Sequence, residues 1–141
     1  DYDKINGYLV DIFNNVVIIE EASLKNSKFN DISLKEMHTI DVIGTHPDTT
    51  PSAVARELML TLGTVTTSKL EKKGYIIRTR SSVDRRVVHL SLSKKGRLVY
   101  RLHRAFHKSM VKTITEGFND EELKVMSKGL ENLHAFLEEL K

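Results

Sequence analysis

The strongest constraint on this chain is a change of hydrophobic period in its middle. Across residues 50–74 apolar side chains recur at helical steps, whereas residues 75–80 and 87–92 alternate as strands do. Thr50-Pro51 sets an N-cap before a proline at the first helical position, opening a helix that reaches about Met59. Thr61-Leu62-Gly63 reads as a tight turn, and a second helix runs from near Thr64 to Gly74. The two strands enclose a polar, charged tip at residues 81–86. Two short helices joined by a glycine turn and followed at once by a hairpin define a helix-turn-helix carrying a wing.

The side chains on this frame suit a polyanion. Ser52 opens the first helix, Thr61 lies in the turn, and Thr64, Thr66, Thr67 and Ser68 begin the second helix. Short hydroxyls reach phosphates, base edges and thymine methyls in a major groove without steric cost. On the hairpin, Arg78, Arg80, Arg85 and Arg86 crowd together with Ser82 and Asp84. Guanidiniums on a hairpin tip suit a narrow minor groove or flanking phosphates. A helix pair with polar exposure and a charged solvated loop are the plainer readings of each part, but their succession points to DNA. Charge distribution agrees. The formal net charge is only +3, yet residues 69–108 hold more than half of the Lys and Arg against Glu71 and Asp84 alone.

The remaining chain is helical. Residues 3–24 carry Ile5, Leu9, Ile12, Phe13, Val16, Val17 and Glu20 at three- and four-residue steps, more apolar than a lone surface helix needs. Ser33-Leu34-Lys35-Glu36 is a capping box for a helix ending at Gly44. Ser93 caps a long helix to about Thr115, and Asn119 caps the last. The expected architecture is mainly α with a small β wing, in the order α-α-α-α-β-β-α-α. It forms one domain over residues 1–141, with the winged part at 33–92 and flanking helices at 3–24 and 94–141. Cysteine is absent, which excludes disulfides and thiolate metal sites. Neither a phosphate loop nor a nucleophile, base and acid constellation is present, so no enzyme is expected. The N-terminus does not read as a signal peptide and no membrane-length apolar run occurs, so a cytoplasmic protein is expected.

Asp84-Arg85-Arg86 followed by Leu90, Leu92 and Ser93-Lys94-Lys95-Gly96 resembles the wing signature of MarR-family regulators. Leu70-Glu71-Lys72-Lys73-Gly74-Tyr75-Ile76 is similar to that family's passage from recognition helix to wing. The resemblance covers the whole chain. It implies a homodimer built by the first and last helices, with each wing domain reading half of a palindromic double-stranded DNA operator. It implies that Arg86 enters the minor groove, that Asp84 orients the wing, and that Thr64, Thr66, Thr67 and Ser68 face the major groove. Three longer strings, over residues 36–44, 61–68 and 84–90, resemble one branch of the family, repressors of fatty acid synthesis genes. That likeness implies long-chain acyl-acyl carrier protein as a protein-borne co-repressor, with no small cofactor. One departure is computable. Val65 and Leu70 should both face the core, but five residues at about 100° each leave them about 140° out of phase. The family pattern is two residues longer here. A pair is therefore expected to be missing between Ser68 and Lys69, which a bonded Cα separation of about 3.8 Å would refute.

Lys94, Arg97, Arg101, Arg104 and Lys108 fall at steps of three and four and form a basic stripe on the long helix. Such a stripe is either a solvated face or a strip for an acidic partner. The resemblance makes Arg97, Arg101, Arg104 and Lys108 candidates for docking the acidic carrier protein. Ile12, Phe13, Val16, Met37, Phe106 and Met110 are candidates for an acyl pocket, with Val17 and Ile40 beside them, although such residues also make ordinary core. His103 and His107 stand at i, i+4 on one helical face, a spacing that can hold a metal, and His38 could approach. A plain histidine pair is the commoner case, and no metal is expected. The competing functions are a sensor released from DNA by a small aromatic ligand, a metal-responsive relative, and a protein-interaction module using the basic helix.

Overall fold

The computed structural model describes residues 1–60 and 67–141. The expected turn and the start of the second helix, with Thr61, Leu62, Gly63, Thr64, Val65 and Thr66, lie outside the described residues. The described elements follow the expected order: α1 (Tyr2–Lys25), α2 (Leu34–Thr45), α3 (Pro51–Glu57), α4 (Thr67–Lys72), β1 (Ile76–Arg80), β2 (Val88–Leu92), α5 (Lys94–Ile114) and α6 (Asp120–Glu139).

The caps set the helix starts. Ser33 Oγ accepts from the Glu36 N–H at 3.1 Å and Glu36 Oε1 accepts from the Ser33 N–H at 3.0 Å, closing the capping box. Asn119 and Glu122 make the same reciprocal pair at the head of α6. Thr50 Oγ1 accepts from the Ala53 N–H with Pro51 in the first turn of α3. The ends shift slightly. α2 continues past Gly44 to Thr45, so this glycine is not a stop. It is there because α2 lies against α5: a Cβ at Gly44 would sit 2.5 Å from a ring carbon of Tyr100. α3 closes at Glu57, and Met59 leaves it with φ 55°. α4 runs unbroken through Ser68 and Lys69, and the Lys73 N–H bonds back to the Lys69 carbonyl at 3.0 Å.

The wing is an antiparallel pair in the register Ile76 to Leu92 through Arg80 to Val88. Leu90 is also bridged to Thr49, its N–H donating to the Thr49 carbonyl at 2.7 Å, so the wing is tied to the loop before α3. The core lies where α2, α3, α4 and the wing meet. Ile40, Val54, Leu70, Tyr75 and Leu90 are fully buried there. α5 leaves the wing through a tight junction. Ser93 Oγ accepts from the Gly96 N–H and donates to the Gly74 carbonyl. By contrast α1 buries only Glu20 and Leu24, and α6 buries nothing. Their apolar stripes, including Ile5, Tyr8, Phe13, Phe136, Leu137 and Leu140, stay open. No helix among the described residues is long and apolar enough to cross a membrane.

Candidate nucleic-acid interface and effector cavity

The wing presents its arginines in two ways. At the tip, Arg86 Nε and Nη2 grip the two carboxylate oxygens of Asp84, each at 3.1 Å, and the Arg86 N–H donates to Oδ1 at 3.0 Å. The Arg86 side chain is still 91% exposed. Asp84 therefore aims a charged fork outward without covering it, and the Arg86 contacts hold the Asp84 carboxyl below the usual carboxylate range. Arg80 donates from Nη1 to the Arg85 carbonyl at 2.8 Å, and Ser81 Oγ caps the N–H groups of Val83 and Asp84. Arg80, Ser82, Arg85 and, on α3, Ser52 are exposed.

Arg78 faces the other way. Its Nη1 donates to Thr67 Oγ1 at 2.5 Å. Thr67 is 4% exposed, which corrects the expectation that it faces a DNA groove. At the edge of the described part of α4, which packs on β1, its side chain fills the α4–β1 contact and Arg78 satisfies its hydroxyl. Ser68, the next residue, is exposed. Beneath this contact the fully buried Tyr75 donates its hydroxyl to Asp31 Oδ1. That bond holds the Asp31 carboxyl below its ordinary range, and burial pushes the Tyr75 phenol up.

On α5, Arg97, Arg101, Arg104 and Lys108 all remain exposed along one side. Two of them are anchored. Arg97 donates to the Leu92 carbonyl at 3.2 Å. Arg104 donates to Thr45 Oγ1 at 2.9 Å and lies over the Tyr100 ring. Arg101 and Lys108 line a shallow groove together with Tyr100, Arg104 and Val111.

A cavity of about 110 Å³ opens between the last turns of α1, the segment after it, α2 and α5. Of the acyl-pocket candidates, Met37 and Phe106 line it. Ile12, Phe13, Val16 and Met110 do not. α1 buries only Glu20 and Leu24, near its C-terminal end, and Ile12 and Phe13 are 51% and 55% exposed. The walls that sequence reasoning missed are Ile19, Leu24, Phe29, Val99 and Leu102. The polar rim holds Glu20 and His103. Glu20 shares the apolar register of α1, yet it is a carboxylate only 6% exposed. His38 Nε2 lies 3.4 Å from Glu20 Oε2, His103 Nδ1 lies 3.9 Å from the same oxygen, and His107 Nε2 lies 3.5 Å from Oε1. The i, i+4 pair and His38 are thus gathered around an acid that the histidine spacing alone does not reveal. Burial holds His103 below the ordinary imidazole range, with Asp41 and Glu20 opposing that shift.

An exposed arginine wing following α4, carried on long helices with open apolar faces, is the architecture of a winged-helix protein. The chain belongs to the MarR family. Residues 32–88 match the model of that family. The chain is 64% identical to FabT of Streptococcus pneumoniae, solved in complex with DNA, with all of both chains covered and a TM-score of 0.89. It is 31% identical to the HTH-type transcriptional regulator PchR of Bacillus subtilis over 75% of this chain and 66% of that protein. A MarR family protein from Bacillus stearothermophilus, 21% identical, shares the fold with a TM-score of 0.75 over 96% of this chain and 94% of its own. The protein is accordingly a transcriptional regulator and not an enzyme.

Proposed function

We propose that this chain represses fatty acid synthesis genes as a homodimer on a palindromic operator, and that long-chain acyl-acyl carrier protein is its co-repressor. The observation that carries this reading is the 64% identity, over the whole chain, to a FabT solved on DNA. Three features of the chain support it. The Asp84–Arg86 fork sits at an exposed wing tip. An apolar cavity with a polar rim opens between α1, α2 and α5. The basic side of α5 runs past that region and suits the acidic surface of a carrier protein.

The test is a mobility shift on a palindromic operator from a fatty acid synthesis gene, with and without acylated carrier protein. Tighter operator binding with the acylated carrier, and not with the unacylated one, is the expected result. Release from DNA by a salicylate-like ligand with no response to the carrier would favour an aromatic sensor instead. Docking is read separately with Arg101→Glu and Lys108→Glu, because Arg104 also holds Thr45 and Tyr100. The pair should keep basal operator affinity and lose the carrier's effect. Equal loss of both would assign the stripe to DNA.

A further inference from the structure

We infer that Glu20, His103 and His107, with His38 as a fourth ligand, form a binding site for a divalent transition-metal ion of the zinc class. The three named first come from two helices, and their ligand atoms already lie within 4.8 Å of one another. His38, on α2, stands beside that compact set rather than inside it, its Nε2 3.4 Å from Glu20 Oε2, so that a small side-chain adjustment would make it the fourth ligand.

The spacing leaves room for an ion. Imidazole and carboxylate ligands hold zinc at about 2.0–2.2 Å, so neighbouring ligand atoms of a tetrahedral site stand about 3.3–3.5 Å apart. His38 and His103 stand 3.4 and 3.9 Å from Glu20 Oε2, and His107 stands 3.5 Å from Oε1. N–H···O hydrogen bonds cluster near 2.9–3.0 Å, so all three contacts are long for that purpose. A buried carboxylate also needs a compensating charge. Among the described residues no Lys or Arg pairs with Glu20; its charge partners there are imidazoles. His103, whose side chain is 8% exposed, and Glu20, 6% exposed, make the buried half of the set, while His107 stands half-open. Three nitrogens and one carboxylate oxygen select a borderline ion such as Zn²⁺ or Co²⁺ over the harder Mg²⁺ or Ca²⁺.

The site's position gives it a consequence. Glu20 and His103 also rim the apolar cavity. An ion there would tie α1, α2 and α5 together at the cavity mouth, joining the helices outside the winged domain to the first helix inside it.

Co²⁺ tests this directly, because a four-coordinate site gives it an intense visible spectrum. The chelator-treated full chain is titrated with CoCl₂, then with ZnCl₂. One Co²⁺ per chain with a tetrahedral spectrum, displaced by Zn²⁺, is expected. Zn²⁺ should raise the melting temperature more than MgCl₂ does. His107→Ala changes a half-exposed side chain and should fold normally, but should weaken Zn²⁺ binding at least tenfold. Glu20→Gln should do the same where circular dichroism shows it folded. His134→Ala, a largely exposed histidine on α6, should change nothing. Absence of a stoichiometric tetrahedral spectrum would overturn the site. So would Zn²⁺ affinity that is unchanged in His107→Ala. Neither result depends on operator or carrier binding.

Discussion

Single residues carry more of this fold than their sizes suggest. A Cβ at Gly96 would lie 2.1 Å from the Tyr75 carbonyl oxygen, which is backbone and cannot turn away. Alanine normally favours a helix over glycine by about 1 kcal/mol. Here the clash outweighs that gain, and Gly96→Ala should lose about 1–3 kcal/mol of stability, the usual cost of overpacking. Urea unfolding checks the sign, and a more stable variant would disprove the close approach. Tyr75 makes a second case. Its hydroxyl bond to Asp31 depresses the carboxyl, so the folded pKa lies below the unfolded one. That stabilisation is complete above the unfolded value, about pH 4, and is lost as pH falls through the depressed value. Asp31 is largely exposed, so Tyr75→Phe should cost only about 1 kcal/mol at pH 7. Its deficit should shrink below pH 4. Urea midpoints of both proteins from pH 7 to pH 3 would show the two curves converging, and parallel curves would remove Asp31 from the account.

The elements were legible in the sequence where local chemistry sets them. The capping boxes at Ser33 and Asn119 and the Thr50-Pro51 start need only neighbouring residues, and the structure places helices there. Alternation across residues 75–92 likewise defined the wing. What periodicity cannot supply is which partner a face meets. Thr67 read as an outward hydroxyl, but α4 packs on β1 and turns it in. Ile12 and Phe13 share a stripe with Ile19 and Leu24, yet only the last turns of α1 reach the cavity. Glu20 sat in the same stripe, and its meaning depends on His38 and His103 arriving from other helices. The wing allows a sharper test at this scale. Arg86 is held by Asp84 and otherwise exposed, so Arg86→Ala should leave folding intact. Operator binding should weaken by roughly 1–3 kcal/mol, the range for a specific groove contact. Fluorescence anisotropy on operator and scrambled DNA measures it. Equal loss on both sequences would make Arg86 a phosphate contact.

For the whole molecule, exposed area argues for a second copy. The chain exposes 10360 Å². A compact monomer of its 16.1 kDa would expose about 7,400 Å², leaving an excess of roughly 3,000 Å². Extended helices account for some of that excess, but their open faces are apolar: Ile5, Tyr8 and Ile18 on α1, and Leu130, Phe136 and Leu137 on α6, with Leu140 just past its end. Obligate dimers bury about 2,000–5,000 Å² in total, which these faces can supply. Charge placed on α6 is the cleanest probe, because α6 contributes nothing to the protomer's core and its loss of contacts cannot unfold the winged part directly. Phe136→Asp with Leu137→Asp should shift sedimentation equilibrium from two chains to one while circular dichroism keeps the helical content. Affinity for a full palindrome should then fall toward that for an isolated half-site, since the two wings are no longer held at a fixed spacing. A double variant that sediments as two chains would place the interface elsewhere. One that is monomeric yet binds the palindrome with wild-type affinity would mean that a single wing domain suffices.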